Sequence, residues 1–366
     1  VPTQPSDPPG AHAYLSCSGA YRWMACPGSP EAERGLPDKP SPYAVEGTAA
    51  HALANLALVA GTSPDPWVGC RLPGSGWTVD VDMATHVASY LDFVRGLRGS
   101  SFYEQALDLS RWVPGGFGRA DCVNLHRRTL RVVDLKYGRG VPVSAERNPQ
   151  LMLYALGAFD TFGPITDPDR VVLVAHQPRL DTVSEWEVSV RSLLAWGGGE
   201  VRRRAAAALA PGAPRIPGDQ CRFCLAKPTC PALARLTEAT TMVELGGEPP
   251  PPERLTDEQV RRALDARDTV LDWFRSIEDL VRERVACGGF PGWKLVAGRA
   301  NRAWGDPAEA ERVLASLLGD GAFTRTLLTP AAAERAVGRG GREALPAVVR
   351  GEGRPTLVQE DDGRPA

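Results

Sequence analysis

Lysine is scarce in this 366-residue chain: four positions (Lys39, Lys136, Lys227 and Lys294) among 42 basic residues, the other 38 being arginine. Where any cation suffices the chain uses a guanidinium, so a lysine marks a place where a compact ammonium is not interchangeable with one; Lys39, in a proline-rich stretch, is incidental. A basic excess is also missing. With 44 acidic residues and a net charge of -2, no global field draws the chain to polyanions, and any such contact must come from a local patch. No uncharged apolar run approaches the roughly 20 residues of a membrane span, which excludes a helical membrane segment. The first thirty residues lack a basic start followed by an apolar block, so the chain is expected to stay in the cytoplasm where it is made. Thiols stay reduced there. The eight cysteines are therefore read as metal ligands and small buried hydrophobes, not as a disulfide framework.

What is present is the length for one large and one smaller unit, and a pattern that alternates between helical and strand periodicity. Helices are expected over Ser16–Trp23, Tyr43–Val59 with Gly61 behind it, Asp82–Leu97, Asn148–Phe159 and Ser192–Leu209. Strands are expected from Tyr103, over Phe117–Leu125, Leu130–Lys136, Val171–His176 and Glu185–Val190. That order predicts an α/β core, assigned to residues 11–240. A proline-rich linker, 241–255, follows it. Residues 256–358 then read as an accessory C-terminal α+β region, opened by a helix capped by Thr256 and Gln259 with Val260, Leu264, Leu271, Phe274, Ile277 and Val281 on one face. A polar tail, 359–366, is expected to be disordered.

The chemistry concentrates in the hairpin. Asp121 and Asp134 are equidistant from a turn centred between Arg127 and Arg128, so an antiparallel register sets them opposite each other. Opposed residues have Cβ atoms about 4.5–5.5 Å apart, and two carboxylates there repel unless a cation lies between them. Period-two alternation puts Lys136 on the face of Asp134 and turns Leu135 away. Two aspartates on a hard divalent cation with an ammonium alongside make a site suited to phosphodiester hydrolysis. Gln150 and Tyr154, four apart on a helix, project from one face. Glu46 and Glu104 are weaker candidates for metal support.

Gly118-Arg119-Ala120-Asp121, Val132-Val133-Asp134-Leu135-Lys136 and Gln150-Leu151-Met152-Leu153-Tyr154 resemble motifs II, III and Q-x-x-x-Y of the RecB-like PD-(D/E)XK nucleases. Gly47-Thr48-Ala49-Ala50-His51 resembles their upstream G-x-x-x-H motif. The four stand in the family's order, and the whole chain resembles a phage and prophage branch of that superfamily, which also includes CRISPR-associated RecB-like exonucleases and the AddB nuclease domain. The resemblance implies a restriction-endonuclease-like core, a mixed central sheet flanked by helices. It implies that His51, Asp121, Asp134 and the Leu135 carbonyl hold manganese or magnesium, with Lys136 as the catalytic ammonium and Gln150 and Tyr154 beside it. Asp134, a shorter acid that can tune metal choice, stands where many relatives have Glu.

Cys221, Cys224 and Cys230 form a dense thiolate group that needs a fourth ligand; Cys26, in a Pro-Gly turn, is the first candidate and Cys17 the second. The spacing resembles the one-plus-three cysteine pattern of the same nucleases, which implies a four-iron four-sulfur cluster (4Fe-4S), although zinc also accepts four thiolates. Cys70, Cys122 and Cys287 read as isolated. Lys294, Arg299, Arg302 and Trp304 interleave cations and an aromatic, a pattern suited to single-stranded DNA, with core packing as the alternative. The resemblance implies a metal-dependent exonuclease acting on single-stranded DNA ends in phage replication or recombination, in a bacterial host. A noncatalytic DNA-binding or assembly protein that kept the fold, and a scaffold stapled by zinc, are the alternatives.

Overall fold

The computed structural model describes residues 13–37, 41–140, 142–241 and 256–295, with isolated helical positions at 309, 312, 313, 315 and 316. Residues 1–295 form one compact unit and 296–366 a second, so the helix that follows the proline-rich segment belongs to the first. The body of that segment, together with Arg299, Arg302, Trp304 and the C-terminal tail, lies outside the described residues.

The chain is mixed α/β. Strands β1 (Ser100–Asp108), β2 (Phe117–His126), β3 (Thr129–Leu135), β4 (Arg170–Gln177) and β5 (Thr182–Ser189) form a five-stranded sheet in that spatial order. Neighbours are antiparallel except β3 and β4. Parallel strands need a crossover, and the helix α5 (Pro149–Thr166) supplies it. The β2–β3 register runs from His126↔Thr129 to Cys122↔Val133, as the turn symmetry predicts. Arg127 closes the hairpin in the left-handed region, φ 53°. β4 is buried from Val171 through Gln177 because both its faces are covered, whereas β5 alternates as an edge strand does.

Helices sandwich the sheet. On one face α5 packs with α1 (Ala20–Ala25), α6 (Val190–Trp196) and α7 (Arg202–Leu209) over Leu130, Val132, Val171 and Leu173. On the other, α3 (Pro42–Ala60) and α4 (Val81–Arg95) cover Val133, Leu135, Val172 and Val174. Each long helix starts where its sequence allows. Ser41 Oγ accepts from Ala44 N–H at the head of α3, with Pro42 in the first turn, and Gly61 ends that helix at φ 68°. Asn148 likewise caps α5 by accepting from Gln150 and Leu151 N–H.

Two expectations need correcting. The single helix over Ser192–Leu209 is interrupted by a π-helical turn, Gly197–Val201, between α6 and α7. A Cβ at Gly197 would lie 2.9 Å from Leu156 and 2.9 Å from Trp112, so glycine lets this turn press onto α5. The long helix α9 (Asp257–Ala286) has its Thr256–Gln259 capping box but not the whole expected buried face. Val260, Leu264, Leu271 and Phe274 are exposed. The inward row is Ala263, Ala266, Val270, Trp273 and Ile277, against α8 (Pro231–Thr241) and the turns Asp219–Phe223 and Lys227–Thr229. The helix carries two apolar stripes, and the one holding Val270 is the one turned to the contact.

Candidate active site

Three carboxylates line up across three strands. The pairs Tyr103↔Cys122 and Gln105↔Ala120 set Glu104 of β1 opposite Asp121 of β2, and Cys122↔Val133 sets Asp121 opposite Asp134 of β3. Glu104 sits at φ 46° in mid-strand, a left-handed conformation that costs a non-glycine residue on the order of 1 kcal/mol and is found where a site demands it. Asp121 Oδ2 accepts a 2.7 Å hydrogen bond from Leu135 N–H. Asp121 Oδ1 lies 3.2 Å from Nδ1 of His51, carried in on α3. The buried Ala49 and Ala50 let that part of α3 approach the sheet closely. Ligand atoms of His51, Glu104 and Asp121 all lie within 4.8 Å of one another.

Asp134 stands beside this group, turned to the ammonium. Its Oδ2 is 2.9 Å from Lys136 Nζ, and its Oδ1 accepts from Gln150 Nε2 at 3.2 Å. Lys136 Nζ donates to Gln150 Oε1 at 2.7 Å, and Gln150 Nε2 also reaches Tyr154 OH at 3.3 Å. Gly118 explains the spacing: a Cβ there would lie 2.7 Å from Cys17 Sγ and 2.9 Å from the Tyr154 ring. The five residues expected in the chemistry thus converge. Leu135 meets them through its N–H, which bonds Asp121, and not through the carbonyl expected of it; its strand is continued by Lys136 N–H donating to His176 O at 2.8 Å. Glu46 goes elsewhere, to a 2.6 Å ion pair with Arg179, whose guanidinium also lies 4.7 Å from the centre of the Tyr137 ring.

The charges are tightly linked. Burial alone would lower the His51 pKa, but the Asp121 charge and hydrogen bond raise it to about 9. Burial and the nearby Asp121 raise Glu104 to about 7. Burial would raise Asp121, yet His51 and the Leu135 N–H hold it below the usual carboxylate range. Asp134 is pushed up by burial, against the Lys136 ammonium, and Asp121 adds to the rise. Carboxylates this crowded take up protons or a cation. The imidazole of His51 and the carboxylates of Glu104 and Asp121 are of the donor types that suit a hard divalent ion. Asp134 adds a fourth charge beside them, its Oδ2 paired with Lys136.

Sequence reasoning gave Glu104 too little weight, because a lone glutamate on a strand carries no spacing signal; its register opposite Asp121 is what singles it out. It missed Tyr90 of α4, whose helical spacing reads as core. The Tyr90 hydroxyl is buried with no hydrogen-bond partner, and burial together with Asp121 raises its pKa well above the usual value.

The second cluster of ligands is the cysteine group. Cys26, Cys221, Cys224 and Cys230 line one small cavity. Cys17 does not: it is buried in the core against Gly118. Gly28 lets the N-terminal turn close onto the later segment, with its N–H donating to Pro214 O at 2.8 Å and no room for a Cβ, which would lie 2.6 Å from Ala213 O. Ile216 N–H donates to Cys26 Sγ at 3.2 Å, and Leu225 N–H to Glu33 Oε1 at 2.8 Å. Burial raises the thiols of Cys26, Cys221 and Cys224, the last to about 12, so a bound cation is needed to keep them as thiolates. Lys294 is exposed.

Fold and site together define a mixed α/β protein whose central sheet presents carboxylates, an imidazole and an ammonium at one end of the β2–β3 hairpin. The chain belongs to the family described as Protein of unknown function (DUF2800), whose family model matches residues 12–365. Among solved structures, "Crystal structure of SSO0001" is similar at 17% identity over 58% of this chain and 84% of that one, with a TM-score of 0.27. No helix among the described residues is long and apolar enough to cross a membrane.

Proposed function

We propose that this chain is a metal-dependent deoxyribonuclease of the RecB-like PD-(D/E)XK type, an exonuclease acting on single-stranded DNA ends in phage replication or recombination. The observation that supports it most is the pairing of a cation-ready group, His51, Glu104 and Asp121, with a buried lysine held 2.9 Å from Asp134 and 2.7 Å from Gln150. His51, Asp121, Asp134 and the Leu135 carbonyl would hold manganese or magnesium, with Glu104 joining them. When bound, the ion lowers the pKa of water and neutralises charge on the scissile phosphate.

The chain's own groups do the rest. Gln150 holds the Lys136 ammonium in place through a short hydrogen bond, and Asp134 shares that ammonium, so it is fixed before substrate arrives. Lys136 orients the attacking water and stabilises negative charge on the phosphoryl oxygens; as the water oxygen bonds phosphorus and the phosphorus–sugar oxygen bond breaks, the water's proton passes to solvent and the departing sugar oxygen takes one from solvent. Gln150 and Tyr154 position the adjoining backbone. A buried lysine committed to a carboxylate serves chemistry better than it serves passive binding, where an exposed cation would do as well. Cys26, Cys221, Cys224 and Cys230 would hold a 4Fe-4S cluster, a reading supported by their meeting in one cavity and by the one-plus-three spacing.

The test is degradation of end-labelled single- and double-stranded DNA with manganese. The parent chain is expected to cut single strands from their ends; Asp134→Ala and Lys136→Ala are expected to abolish cutting while circular dichroism and iron content stay unchanged. Equal cutting by all three overturns the assignment, as does a parent inactive with either metal.

A further inference from the structure

The hydrolytic site leaves one groove unused. On the α5 face of the sheet, at the β5 edge, a cleft of about 670 Å³ is lined by Tyr21, Arg147, Trp186, Trp196, Glu200 and Arg204 among others. That volume is typical of sites for small organic groups. Tyr21 is 54% exposed, and Trp186 and Trp196 are half-buried, so their ring surfaces are only partly covered by the protein. Two arginines, Arg147 and Arg204, line it with one carboxylate, Glu200, which forms a long 3.9 Å ion pair with Arg204 and leaves its Nε without a hydrogen bond. Arg147 holds a left-handed backbone, φ 48°, one residue before the cap of α5. Strain of that kind persists where the surroundings require it.

The groove also adjoins the proposed active site. Pro149 and Met152 line it, and Gln150, between them, bonds Asp134 and Lys136. β5 lies two strands from β3, on the order of 10 Å at the usual strand spacing. We propose that this groove binds a segment of single-stranded nucleic acid, stacking bases on Tyr21, Trp186 and Trp196 and pairing phosphates with Arg147 and Arg204. Stacking needs unpaired bases and guanidiniums need phosphates, and one strand supplies both where a duplex hides its bases and an apolar peptide lacks the charge. The route from groove to cut bond rests on the nuclease reading; the binding itself does not.

The test uses the full chain in EDTA, so that nothing is cut, titrated by fluorescence anisotropy with labelled oligo(dT), with duplex of equal length, and with an apolar peptide. Single strands are expected to bind tightest. Arg147→Ala with Arg204→Ala is expected to lower the slope of log affinity against log salt by about 1.4, since a single strand contributes about 0.7 per phosphate neutralised. Tyr21→Ala is expected to weaken oligo(dT) at least fivefold, as loss of base stacking does. Photo-crosslinking with 5-iodouracil is expected to mark peptides holding Tyr21, Trp186 or Trp196. Unchanged salt slope and affinity, adducts confined to other peptides, or preference for duplex or peptide overturns the inference. With manganese restored, a cutting parent and variants altered only in KM support both readings. A parent that binds through the groove yet never cuts sinks the nuclease alone.

Discussion

At the scale of single residues, the site depends on small side chains as much as on charged ones. Gly118 sits where a Cβ would come within 2.7 Å of Cys17 Sγ and 2.9 Å of the Tyr154 ring. Gly118→Ala therefore overpacks the contact that seats Tyr154 under Gln150, at an expected cost of about 1–3 kcal/mol. Chemical denaturation measures it, and adding Cys17→Ala should restore part of the loss by vacating one of the two clashes. No recovery in the double variant would place the strain elsewhere. The left-handed Glu104 offers a second check. Glu104→Gly relieves a strained backbone but removes a carboxylate from the cation-ready group, so the variant should fold normally and require several-fold more manganese for half-maximal activity. Undiminished metal affinity would show that Glu104 is no part of the ion's environment. The opposed aspartates were legible in the sequence because hairpin symmetry relates them, whereas Glu104 acquires its meaning only from a strand pairing no local pattern announces.

Among elements, the helices were readable where caps bounded them and less so where packing chose between alternatives. Ser41, Pro42 and Gly61 fix the ends of α3, so its expected span and the observed one nearly coincide. Thr256 and Gln259 fix the start of α9, yet an apolar stripe of Val260, Leu264, Leu271 and Phe274 proved exposed while the row through Ala263, Ala266, Val270 and Trp273 turned inward. Periodicity finds a face but cannot weigh two faces against an unseen neighbour. The helix running through α6 and α7 was likewise recognised in extent but not in its π turn, because that turn follows from contact with Leu156 and Trp112. The glycines there should respond in opposite directions. Gly197→Ala clashes with both side chains and should destabilise by about 1–3 kcal/mol. Gly198→Ala meets open space, and by restricting the unfolded chain it should stabilise by about 0.4–1 kcal/mol. Thermal melts of the two variants decide it; equal shifts would mean that the π turn is not set by this contact.

For the molecule as a whole, the sheet and its flanking helices supply one kind of connection and the cysteine group another. The sheet site draws His51 from an early helix and Asp121, Asp134 and Lys136 from the hairpin, between the two apolar layers that cover the sheet. Cys26 instead meets Cys221, Cys224 and Cys230 across roughly 200 residues, assisted by the Gly28–Pro214, Cys26–Ile216 and Glu33–Leu225 hydrogen bonds. A crosslink spanning that length constrains the unfolded chain, and the loop-entropy relation sets its contribution at no more than about 5 kcal/mol. The short hydrogen bonds hold part of the closure without any bound group, so loss of the cluster should loosen the fold without abolishing it. Cys26→Ala, purified without oxygen, should therefore lose iron and visible absorbance and melt well below the parent. Cys17→Ala should keep its colour, since Cys17 lies in the core of the sheet. Iron retained in Cys26→Ala, or lost in Cys17→Ala, would refute the assignment of the fourth ligand. Zinc in place of iron in the parent would leave the closure argument standing and remove the cluster. Because the cysteine group joins residue 26 to residues 221–230 while Asp121, Asp134 and Lys136 belong to the hairpin strands and the residue after them, Cys26→Ala assayed well below its own melting temperature should retain most of the proposed DNA-cutting rate per folded molecule.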